Sequence, residues 1–284
     1  MLRLLTIEFY KIRHNKASKI LTLIYFGLLC GLALLAAIRF DFGDFTFDIT
    51  TTGFFNFPYI WHANTYIAAA LKFFLLLVII SMITNEYSHR TLKQNLIDGL
   101  SKKEFVISKF LTIIALALLS TLFVFIVSLI LGLLYSDFTE ISIIFIDIQY
   151  IFAFFVKLLG FFSLGLFMGI WIKRSAFAVG AVFVWWIVEG LTKLIIALSL
   201  AFSGQEKQIN SIIEGITRYF PLESMSNLIK EPWSRIDIIK TIANAAGEQF
   251  SKNYNVQWFD VFIVLIWTTI FIYGSYALLK KRDL

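Results

Sequence analysis

Residues 84–110 read TNEYSHRTLKQNLIDGLSKKEFVISKF, a compact charged segment between two long hydrophobic runs. Its basic residues Arg90, Lys93, Lys102, Lys103 and Lys109 outnumber its acids Glu86, Asp98 and Glu104. An excess of Lys and Arg in a short loop between apolar segments marks the cytoplasmic side of a membrane. Leu92, Leu96 and Leu100 recur every four residues beside Arg90, Lys93 and Asp98, so residues 90–100 read as a short amphipathic helix ending near Gly99.

The flanking runs, 60–83 and 111–135, each reach the ~20 residues that a helix needs to cross about 30 Å of hydrocarbon. Of the 284 residues 59% are hydrophobic and only 15% charged, against roughly 25% charged in a soluble domain. Mean hydropathy is +0.80. Lipid leaves backbone groups no water to bond, and the runs have helix length, so the fold class is all-α integral membrane.

Working outward, further spans read at 18–38, 143–172, 176–200 and 258–279, six in all, within a single domain covering 1–284. Residues 1–17 carry Leu2, Leu5, Phe9 and Ile12 at helical spacing, with Arg3, Glu8, Lys11 and Arg13 largely on the other side. This predicts an interfacial helix on the inner surface and not a cleavable signal. Lys11, Arg13, Lys16 and Lys19 before the first span, and Lys280, Lys281 and Arg282 after the last, place both termini in the cytoplasm. The segment 39–59 is acidic and aromatic, and 136–142 holds Asp137 and Glu140 without a base, so both read as external. The fourth run exceeds what a bilayer requires, which allows tilt, a break or a start outside the membrane. Residues 201–257 are the one long polar stretch and read as an external segment of short helices, or a re-entrant one, which Pro221, Pro232 and Trp233 break into pieces such as 222–230 and 236–250.

The net charge of +6 sits at the ends of apolar runs, which topology explains better than nucleic acid binding does. No phosphate loop occurs, so any ATP hydrolysis belongs to another chain, and no cofactor is expected here. His14, His62 and His89 are scattered and read as interfacial or solvated side chains, and no metal site is expected. Catalytic residues are not expected either. Asp147 and Asp260 fall near the outer ends of their spans, and span serines lack a buried histidine. Cys30, the single cysteine, excludes an intrachain disulfide.

Four charges fall well inside spans: Lys72, Lys157, Glu189 and Lys193. Each costs roughly 2.5 kcal/mol or more unless paired or wetted, so they line a translocation path or pair internally. Glu189 and Lys193 stand in the favourable order for a pair on one helix face. Gly165 and Gly169 form a GxxxG that permits close helix approach.

This layout resembles the type-2 ABC transporter permeases, the membrane subunits of bacterial ABC exporters. The resemblance spans most of the chain: IEFYKIRHNK at 7–16, EYSHRTLKQNLIDGLSKKEFVISKF at 86–110, an external helical segment before the last span, and YALLKKRDL at 276–284. It implies that 84–110 is a coupling loop, with Glu86, Tyr87, Arg90, Thr91, Leu92, Lys93, Leu96 and Leu100 as its coupling residues. It further implies a second permease copy, homo- or heterodimeric, and two cytoplasmic ATPase subunits that hold ATP and Mg²⁺, in a bacterial inner membrane. Alternatives from other classes are an ATP-independent secondary transporter or channel, and a membrane immunity or scaffold subunit.

Overall fold

The first two helices meet at Asn15. Helix α1 (Leu2–His14) ends there, and the Asn15 side chain accepts from the Ser18 N–H, capping α2 (Lys16–Ala36). The structure, a computed structural model, describes residues 2–36, 40–42, 45–47, 53–202, 209–235 and 254–282. The α1 face that carries Phe9 and Ile12 packs inward as its spacing predicts. Glu8, expected on the polar side, is buried with them, because α1 lies against protein.

After α2 a two-stranded antiparallel hairpin, β1 (Phe40–Phe42) and β2 (Phe45–Phe47), pairs Asp41 with Thr46. The second span, expected as one helix over 60–83, is two helices, α3 (Tyr59–Ala70) and α4 (Lys72–Ser88), bent by 44° at Leu71. Three-residue bonds, Leu71 N–H to Ala68 at 3.2 Å and Phe74 N–H to Leu71 at 3.1 Å, replace the α pattern there and tighten the turn.

Helix α5 (Thr91–Ile97) is shorter than the expected 90–100. Arg90 reverses the chain with φ 57°, and Gly99 ends α5 with φ 98°. The Leu100 N–H bonds Asn95 O and the Gly99 N–H bonds Leu96 O, the paired closure that a left-handed residue after a helix permits. Ser101 then opens α6 (Lys102–Tyr135) through a capping box with Glu104, so this helix starts nine residues before the predicted span at 111.

The fourth run breaks, as its length allows: α7 (Ile141–Ile144) is one turn, Asp147 takes φ 66°, and α8 (Gln149–Ile172) follows. A two-residue turn at Lys173–Arg174 leads into α9 (Ser175–Phe202). Short helices α10 (Ile209–Thr217) and α11 (Pro221–Asn227) precede α12 (Trp258–Lys280). The expected helix over 236–250 lies outside the described residues.

Five helices and the bent α3–α4 pair are long and apolar enough to span, giving the six-span, all-α membrane fold that composition predicts. Helix α8 is the axis of the bundle, packed on α3, α4, α6, α9 and α12. Gly165 faces Leu76 and Gly169 faces Ile83, where an added Cβ would lie 3.4 Å from the isoleucine. The GxxxG is therefore where α8 and α4 approach closely. Helix α9, by contrast, leaves most of its length uncovered.

Candidate functional site

One end of the bundle, called the lower end here, gathers α1, α5 and the close of α12. Leu92 is buried beneath α5, with Leu96 and Leu100 packed beside it, so the leucine stripe holds the helix to the spans. The opposite face exposes Arg90, Thr91, Lys93, Gln94 and Ile97. Ile97 is 70% exposed, an apolar side chain set among charges, and sequence reasoning missed it. Its signal was legible: it stands off the leucine stripe on an otherwise polar face.

Behind α5 four charges from three helices meet. Lys109 of α6 is fully buried and pairs with Glu8 of α1 at 2.5 Å and with Glu86 of α4. Lys11 of α1 closes the ring, 3.1 Å from Glu8 and 2.9 Å from Glu86. The cluster balances two acids with two bases, which is what makes such burial tolerable. Glu86, one of the expected coupling residues, thus faces inward at 4% exposure and ties helices together, and Tyr87 beside it is half-buried. Glu8 and Lys109 were not singled out for this site, since nothing in their spacing announces a partner in a distant helix.

Lys11 lies outside the spans, and its ammonium pKa stands above the ordinary 10.5. Burial pulls it down, but the carboxylates of Glu86 and Glu8 outweigh burial. Nearby, Arg282 donates to the Ile170 and Trp171 carbonyls at the end of α8, and Lys102 reaches the Arg282 carbonyl at 2.7 Å. Arg282, after the last span, therefore closes the C-terminal end of α8.

At the other end, the upper end, residues 209–235 dip into the bundle. Glu189, ~20 Å below Phe202 along α9, accepts from the N–H groups of Leu222 and Glu223 at 3.0 to 3.1 Å and from Trp185 Nε1 at 2.6 Å. Met225 meets Gly160 and Trp267 Nε1 donates to Tyr219 O, ~15 Å down α8 and α12. Helix α11 thus packs against α8, α9 and α12 well inside the bundle, ~15–20 Å from the upper ends of those helices. Backbone packed among helices needs partners, and near the upper end the first turn of α3 supplies them: His62 Nε2 contacts Lys230 O at 2.9 Å, and Tyr59 donates to Pro232 O at 3.0 Å.

These contacts correct several expectations. Glu189 and Lys193 do not pair with each other: Glu189 caps α11, and Lys193 bonds Glu223 at 2.5 Å. The α11 N-terminus brings both an anion-seeking set of N–H groups and a carboxylate to α9, and each partner beats the helix-local pair. His62, expected as interfacial or solvated, is fully buried and stacked on Tyr150 with ring centroids 4.1 Å apart. Asp147 and Asp260 lie at the upper end as expected, paired with Arg235 at 2.8 Å and with Arg218. Lys157, 4% exposed, has the Ile229 carbonyl at 3.5 Å, and Lys72 lies 4.6 Å over the Phe161 ring. Among the described residues no group of His, Cys, Asp and Glu is arranged to hold a metal ion.

A protein-family model described as "ABC-2 family transporter protein" matches residues 2–284. No curated protein matches the chain.

Proposed function

The chain belongs to the ABC-2 family of transporter proteins as a multi-span membrane permease component, and from that premise we propose that it is the path-forming subunit of an ATP-driven exporter, coupled to a separate ATPase through residues 84–110. ABC-2 permeases pair with ABC ATPases. In this reading two ATPase subunits, carrying ATP and Mg²⁺, act on two permease copies from the cytoplasmic side, where both termini of this chain lie.

The observation that carries the reading is the construction of α5. Its leucines fasten it to the spans while Arg90, Lys93 and Ile97 face outward together. An apolar anchor with basic neighbours suits a cleft with an apolar floor and an acidic rim. The two ends of α5 are stiff, set by Arg90 on one side and by Gly99 and the Ser101–Glu104 box on the other. The charge cluster behind it joins α1, α4 and α6, so a push on α5 is delivered to three helices at once. Glu86 acts from within that linkage, and Arg90, Thr91, Lys93 and Ile97 form the outer contact.

The test is copurification of the tagged chain from its native membrane. The wild type should bring down a soluble protein with a phosphate loop, and Ile97→Asp, or Arg90→Glu with Lys93→Glu, should cut its recovery at least tenfold without lowering the permease's own thermal midpoint. Flux through liposomes holding this chain alone, without ATP, would overturn the reading.

A further inference from the structure

Lys72 and Lys157 stand apart from the ion pairs and the helix cap in the upper half of the bundle. Glu189 is taken by α11, Glu223 by Lys193, Asp260 by Arg218 and Asp147 by Arg235. Among the described residues no carboxylate lies within ion-pair distance of Lys72 or Lys157. Lys157 is 4% exposed, with one carbonyl at 3.5 Å for an ammonium that has three protons to donate. Lys72 opens α4 at the bend and sits over Phe161, one turn from Lys157 on the same face of α8. The ring under Lys72 and the side chain of Lys157 therefore stand side by side on α8, which brings the two lysines to the same part of the α4–α8 contact.

Two lysines without a carboxylate in a low-dielectric bundle carry their charge at least cost when an anion sits beside them. The surroundings describe what would carry it. Phe73 meets Phe161 edge-on at 5.2 Å and stacks on Phe183 at 5.3 Å, and Phe183 is itself exposed on the flank of the bundle. Lys72 is partly exposed beside this aromatic wall, while Lys157 is buried behind it. An approach from the side thus meets aromatic surface first, then one cation, then the second.

We propose that Lys72 and Lys157 form an oxyanion-binding site inside the membrane-embedded bundle, taking a phosphate or carboxylate group that is either the head of an amphiphile or a free anion. The site rests on the transport reading for its purpose, as a stop for an anionic substrate on its way through the bundle, but it binds whether or not an ATPase is present.

The experiment measures the thermal midpoint of the purified full chain in neutral detergent with dioctanoyl phosphatidylglycerol, dioctanoyl phosphatidylcholine or inorganic phosphate. An anionic ligand at ten times its dissociation constant should raise the midpoint by about 3–6 °C. A response to phosphatidylglycerol alone supports the site and assigns it to an amphiphile head, and an equal response to inorganic phosphate supports it and assigns a free anion. Lys72→Met and Lys157→Met should each abolish the response, and Lys157→Arg should keep it. Lys72 makes no hydrogen bond among the described residues, so its variant tests the site even if Lys157→Met unfolds. No shift with either anionic probe, an equal shift with phosphatidylcholine, or a shift that survives Lys72→Met overturns the proposal. Because the assay needs no ATPase, failure here leaves the copurification test untouched, and the reverse.

Discussion

Replacing Lys109 with methionine removes the one cation that Glu8 and Glu86 share at full burial, while nearly preserving side-chain length. Two carboxylates at about 4% exposure then face a single base, Lys11, whose side chain is 36% exposed. Stranding a buried charge in this way costs ~3–5 kcal/mol. Lys11 remains 2.9 Å from Glu86 and 3.1 Å from Glu8, so the lower part of that range applies, about 3 kcal/mol. For a chain of this size the thermal midpoint should fall by ~6–12 °C. The charge-balanced double variant, Lys109→Met with Glu8→Gln, leaves Glu86 opposite Lys11 and should recover most of the loss, a coupling of about 2 kcal/mol in a double-mutant cycle. Midpoints in detergent would be read by tryptophan fluorescence. If Lys109→Met lowers the midpoint by less than ~2 °C, or if the two substitutions simply add, the cluster does not hold α1, α4 and α6 together as described.

Glu189→Ala leaves the N–H groups of Leu222 and Glu223 and the Trp185 indole without their acceptor, at a cost of about 2–4 kcal/mol, and Glu189→Gln should cost less than half as much because an acceptor remains. Hydrogen exchange over 221–229 should accelerate in the alanine variant, and unchanged protection would refute the cap. The raised pKa of Lys11 makes its contribution complete below the unfolded value and lost as pH rises through the folded one, so the midpoint difference between wild type and Lys11→Met should hold from neutral pH up to 10.5 and vanish only above it. A difference already gone at pH 8 would rule the pairing out. Gly165→Leu drives a side chain into Leu76 and should cost ~1–3 kcal/mol, whereas Gly180→Leu, with open space around its Cα, should leave the midpoint within ~2 °C. Equal effects at both glycines would contradict the α4–α8 contact.

The helices were largely legible because a ~30 Å hydrocarbon layer requires long apolar runs. The close of α5 near Gly99 was legible, since glycine after a leucine stripe is local capping chemistry, but the Ser101–Glu104 box that starts α6 nine residues before the expected span was not read. The break at Leu71 was not, because apolar residues continue on both sides of it and the one interruption, Lys72, is neither Gly nor Pro and does not announce a change in hydrogen-bond pattern. Residues 209–235 read as an external or re-entrant segment because their polarity matches a surface one. How they dock among the spans depends on His62, Glu189 and Trp267 satisfying backbone groups from three other helices.

By itself, then, the sequence determined that this chain crosses a membrane as a helical bundle with a basic, leucine-striped loop on one side, because solvent exclusion and local capping are written in short stretches of residues. Only the tertiary structure decided which charge meets which. Glu189 and Lys193 are neighbours by helical spacing and find other partners, while Glu8 and Lys109, a hundred and one positions apart, share an ion pair. In low dielectric a charge takes the partner that packing brings closest, and packing between distant helices has no period that the sequence displays.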